Sequence, residues 1–69
     1  METVKVDARG LSCPQPVILT LTALKQPADV YEILVDDTTA VQNVTRCLKK
    51  AGKTVTCRED GGEYTLTTE

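Results

Sequence analysis

The chain has 69 residues and holds no Phe, Trp or His, so one small domain must build its core from Val, Ile, Leu and Ala. A domain of this length buries only about 60% of its unfolded surface, which argues against a deep substrate pocket and for a surface site or one shared with a partner. Eight Lys and Arg against ten Asp and Glu give a net charge of -2, and with two Tyr as the whole aromatic complement there is no basic, stacking footprint for nucleic acid.

Three cysteines, at 13, 47 and 57, follow no metal-ligand spacing. Without Cys-x-x-Cys or His, a four-ligand zinc site is not expected, nor is any cofactor. The missing His also excludes Cys–His nucleophilic catalysis. The Met1–Lys5 stretch has no apolar h-region and no run is long enough to span a membrane, so a cytoplasmic location is expected, with no disulfide framework.

Taken in order, residues 3–8 alternate, with Val4, Val6 and Ala8 on one face, the period of a half-buried strand. Arg9-Gly10-Leu11-Ser12 is a loop in which Gly10 permits a backbone angle that other residues resist. Cys13-Pro14-Gln15-Pro16 then opens an apolar run. Proline suits the first helical position, so a helix is predicted from Pro14 to Lys25, with Pro27 as its stop. Cys13 falls at or beside the N-cap. There the helix dipole and unpaired N–H groups lower a thiol from about 8.5 to roughly 3.5–7.5.

Val30–Val35 reads as a central strand with Tyr31, Ile33 and Val35 on one face. Asp36-Asp37 reads as a turn and helix N-terminus rather than a catalytic acid pair. Thr39 and Gln42 have capping-box spacing for a second helix. Its predicted apolar face is Val41, Val44, Leu48 and Ala51, and Gly52 is its C′ residue. Arg46, Lys49, Lys50 and Lys53 read first as a solvated helix end, with a docking patch as the lesser alternative. Asn43-Val44-Thr45, a glycosylation sequon, falls inside this helix and is incidental. Residues 54–59 alternate, with Val55 and Cys57 facing one way. After Asp60-Gly61-Gly62, residues 63–68 alternate with Tyr64 and Leu66 on one face, so the two segments form a hairpin. Core packing is predicted for Cys57 and, less firmly, for Cys47. The order β-α-β-α-β-β implies a two-layer α/β sandwich, a four-stranded mixed sheet with two helices on one face.

The stretch Asp7-Ala8-Arg9-Gly10-Leu11-Ser12-Cys13-Pro14-Gln15-Pro16 resembles the signature of the TusA/SirA family of small sulfur carriers, and the likeness of length and element order covers the whole chain as a single domain, residues 1–69. The motif is also similar to the N-terminal domain of YedF-like proteins linked to selenium metabolism. The resemblance implies that Cys13 accepts sulfane sulfur as a persulfide from a protein donor (a cysteine desulfurase or rhodanese-like protein) and passes it to a protein acceptor. Pro14, Pro16 and Gly10 would support the cysteine. Arg9 either stabilises the thiolate or contacts a donor, or else is a solvated loop residue or a partner of Asp7. No stand-alone catalytic machinery is evident beyond this sulfurtransferase-like exchange. A binding or regulatory module with a dispensable Cys13, and a selenium-handling carrier, are the alternatives. One position and one four-residue stretch depart from the family pattern. Thr38 stands where a proline often follows the acidic pair, and Leu19-Thr20-Leu21-Thr22 replaces a more basic helix face, which bears on partner choice.

Overall fold

The computed structural model describes residues 2–11 and 14–68. The order is β1 (Thr3–Asp7), α1 (Gln15–Leu24), β2 (Val30–Val35), α2 (Thr38–Lys50), β3 (Val55–Asp60) and β4 (Glu63–Thr68). The strands lie in the order β1-β2-β4-β3, with β1 parallel to β2 and the other pairings antiparallel. This is the mixed sheet and two-layer sandwich that the sequence predicts.

Register explains the core. Val6 sits beside Ile33, Ile33 beside Leu66, and Leu66 beside Cys57. Paired residues share a sheet face, so these positions face the helices. α1 packs over β1 and β2, and α2 over β4 and β3. Ile33, Val35, Val44, Leu48 and Leu66 are fully buried between the layers. Two buried hydroxyls are satisfied: Thr20 Oγ1 donates to the Pro16 carbonyl one turn back (2.8 Å), and Thr68 Oγ1 accepts from the Tyr31 N–H of the neighbouring strand (3.0 Å).

α2 ends as its sequence predicts. Gly52 takes φ +82°, the Gly52 N–H bonds Lys49 O (3.0 Å), and the Lys53 N–H bonds Leu48 O (3.0 Å). These are the two bonds of a Schellman motif. Lys53 Nζ lies 5.4 Å from the centre of the Tyr31 ring.

Four expectations need correction. The N-cap of α2 is Asp37, not Thr39: its Oδ1 accepts from the Thr39 N–H (3.2 Å), and Val41 N–H bonds Asp37 O. Aspartate is the stronger cap, so the helix starts two residues earlier. Ala40 joins the core, and Ala51, predicted on the apolar face, is the exposed C-cap. Pro14 is the N-cap of α1 rather than its first residue, and Pro16 takes N2; neither position needs an N–H. Cys57 is exposed rather than packed. It is on the helix-facing side, but β3 is an edge strand on which every residue after Val55 is exposed, so periodicity named the face without fixing the burial. No helix among the described residues is long and apolar enough to cross a membrane.

Candidate functional site: the loop between β1 and α1

The loop from Ala8 to Pro14 leaves the end of β1 and enters α1. Its described residues are anchored on both sides of positions 12 and 13. Ala8 is buried, and its N–H bonds Leu34 O (2.8 Å). Gly10, with φ +74°, turns the chain so that its N–H donates to Asp36 Oδ2 (3.0 Å). A Cβ at Gly10 would meet open space, so the requirement for glycine is conformational and not steric crowding. Leu11 packs against the core. On the far side Pro14 caps α1, its carbonyl accepts the Ile18 N–H (3.0 Å), and Pro16 is fully buried. Cys13 falls between these anchors in sequence and lies outside the described residues.

Arg9 is a clamp. Its Nε and Nη2 donate to the two carboxylate oxygens of Asp7 (2.9 Å each), and Nη1 donates to Glu63 Oε2 (3.0 Å). The guanidinium thus ties the end of β1 to the start of β4. This bidentate contact holds the Asp7 carboxyl down to about 2, chiefly through the Arg9 side-chain hydrogen bonds, and Asp7 and Glu63 in turn raise the guanidinium further above its already high value. The Arg9 side chain is 42% exposed, so salt screens the pairing. Among the described residues Arg9 makes the pair with Asp7, extended by a second carboxylate, Glu63.

The remaining cysteines sit elsewhere. Cys47 is half-buried in a groove between α1 and α2, and burial pushes its thiol up, only partly offset by Lys50. Less of it is thiolate at neutral pH than of an ordinary cysteine, which suits packing better than exchange. The sequence missed two residues: Asp36 as the loop's anchor and Glu63 as Arg9's second partner. They lie 26 and 54 positions from their partners, and no local pattern marks such separations.

The anchored loop carries the residues that decide the family. The model of the TusA sulfurtransferase family matches residues 4–69, the Gly10–Pro16 motif included. The chain belongs to the TusA family. A candidate sulfur carrier protein from Archaeoglobus fulgidus is 39% identical over 51 residues, covering 71% of this chain and 70% of that one. The crystal structure of a SirA-like protein from Desulfitobacterium hafniense superposes with a TM-score of 0.84 at 29% identity, covering 94% of this chain and 93% of the other. Within the TusA frame, Thr38 is the first residue of α2 and follows an extended Asp37 (φ -145°, ψ 134°). A proline is well accommodated in that position, so the departure at Thr38 concerns the start of a helix.

Proposed function

We propose that this TusA family member is a sulfur carrier in which Cys13 bears the moving sulfur. The observation that carries the reading is the family match across residues 4–69, with the Cys-Pro-x-Pro motif inside it. The A. fulgidus relative, described as a candidate sulfur carrier, supports it.

The chemistry is thiol–disulfide exchange on a persulfide. The Cys13 thiolate attacks the terminal sulfur of a donor's cysteine persulfide. The donor S–S bond breaks, its cysteine leaves as thiolate, and a new S–S bond forms on Cys13. No net oxidation occurs, so no redox partner is required. The second transfer repeats the step, with an acceptor that attacks the sulfur on Cys13.

What the chain supplies is placement. Leu11 and the Gly10–Asp36 bond hold the loop on one side of Cys13, and the Pro14 cap and buried Pro16 hold it on the other. Arg9 stiffens the base of the loop through Asp7 and Glu63. The helix N-terminus that follows Cys13 supplies the positive potential. Pro14 has no side-chain acceptor to compete for that potential. The donor is a cysteine desulfurase or rhodanese-like protein, the acceptor is another protein, the compartment is the cytoplasm, and residues 1–69 act as one domain.

The test is intact mass after incubation with a cysteine desulfurase, its cofactor and cysteine. Wild type, Cys47→Ser and Cys57→Ser are expected to gain one reductant-labile sulfur atom, and Cys13→Ser none. Unchanged loading of Cys13→Ser overturns the proposal.

A further inference from the structure

A second surface stands apart from the cysteine loop. α1 carries no charged side chain between Gln15 and Leu24, and it displays the exposed large hydrophobics of the described residues, Ile18 (52% exposed) and Leu21 (49%). They lie three positions apart, on one side of the helix. Leu21 also lines a groove of about 500 Å³ between α1 and α2, together with Val17, Cys47 and Ala51. The exposed strip and the groove floor are therefore one apolar surface.

The rim of that groove is basic. Arg46 and Lys50, one turn apart on α2, line it. Neither is in an ion pair with any described residue; the pairs formed are Lys5–Glu32, Arg9–Asp7 and Arg9–Glu63. Asp7, Asp36, Asp37 and Glu63 gather instead at the opposite end of the sandwich, where β1 and β2 end and β4 begins.

We infer that this groove is a docking site for an acidic amphipathic helix of a partner protein, with leucine-type side chains set between Val17, Leu21 and Cys47, and flanking Asp or Glu facing Arg46 and Lys50. The apolar floor calls for an apolar anchor, and two cations in no ion pair with a described residue call for carboxylates beside it. A concave trough between two helices fits a helix, whereas a lipid surface would call for a convex basic ridge. One groove on so small a domain buries less than a standard interface, so the contact is brief, as suits a protein that must leave each partner. The groove runs along α1, the helix that begins directly after Cys13 in the chain. The inference that a docked partner meets the sulfur rests on the carrier reading; the groove's binding does not.

The experiment is a titration of isotope-labelled protein, followed by amide chemical shifts, with a synthetic helical peptide bearing leucines on one face flanked by glutamates. A second peptide with lysines in place of the glutamates is the control. The glutamate peptide is expected to shift Val17, Leu21, Arg46, Cys47 and Lys50 and the lysine peptide to leave them still. Arg46→Glu with Lys50→Glu should weaken binding about tenfold or more, while the amide spectrum keeps its folded dispersion and the melting temperature falls by only a few degrees, as the loss of a cation from the last turn of α2 requires. Cys13→Ser should bind as wild type does, so failure of docking and failure of sulfur loading are separable. No shifts at millimolar peptide, equal response to both peptides, binding to anionic vesicles in place of the peptide, or closure of the groove by a second copy in sedimentation would each overturn it.

Discussion

At one end of the sheet α2 begins on an aspartate and α1 begins on a proline. Asp37 accepts the Thr39 N–H, α2 finishes in a Schellman motif on Gly52, and Lys49 and Lys50 sit in its last turn where the dipole favours them. α2 is strongly two-faced, with Ala40, Val44 and Leu48 inward. α1 has a cap residue with no side-chain acceptor, no acid in its first turn and no base in its last, and its outer face is as apolar as much of its inner one. Local signals therefore specify α2, while α1 is held by burial of Pro16, Thr20 and Ala23 and by packing on α2, β1 and β2. A helix with charges on its outer face needs no partner there. A helix with Ile18 and Leu21 exposed leaves apolar surface that another protein can cover.

The largest way to sharpen this contrast is a pair of truncations. Leu48→Ala removes a fully buried side chain of α2 and is expected to cost about 2–5 kcal/mol, whereas Leu21→Ala on the outside of α1 should stay within about 0.5 kcal/mol. Denaturant midpoints compare them, and equal losses would show Leu21 to be a core residue. The next effect concerns the cap. Asp37→Ala should cost about 1 kcal/mol, a fall of roughly 4–8 °C in melting temperature. Thr38→Pro at the neighbouring first helical position should gain about 0.4–1 kcal/mol by restricting the unfolded chain. If both changes are silent, α2 is no more locally specified than α1.

The smallest expected effect is the acid limb of stability. Asp7 has its pKa lowered in the folded state from 3.8 to about 2, so its contribution is present above about pH 4 and is lost as the pH falls toward 2. Asp7→Asn should flatten the decline in melting temperature across that window, and added salt should shrink the wild-type decline, because the pair is exposed. An unchanged slope in Asp7→Asn would mean that the clamp does not hold the loop's base in solution.

Most of the architecture was legible from residue order. Alternation at Val4-Val6-Ala8 and at Tyr31-Ile33-Val35, the Gly52 stop, and the Gly61-Gly62 turn are short-range signals, and the strands and the Schellman end lie where they point. The cap of α2 was misplaced because two Thr and two Asp compete within four positions, and only the backbone of Asp37 shows which is extended. The family was legible because the loop motif is contiguous.

The sequence by itself determined the order of the elements and the face each presents, since alternation and helical spacing repeat within a few residues. The tertiary structure alone decided which neighbours those faces meet. Cys57 faces the helices yet stays exposed, because strand order put β3 at the edge. Asp36 became the anchor of Gly10 and Glu63 the second partner of Arg9, because a parallel crossover and a hairpin brought distant segments to one end of the sheet. Such encounters depend on how the whole chain closes, and no periodicity of a few residues encodes them.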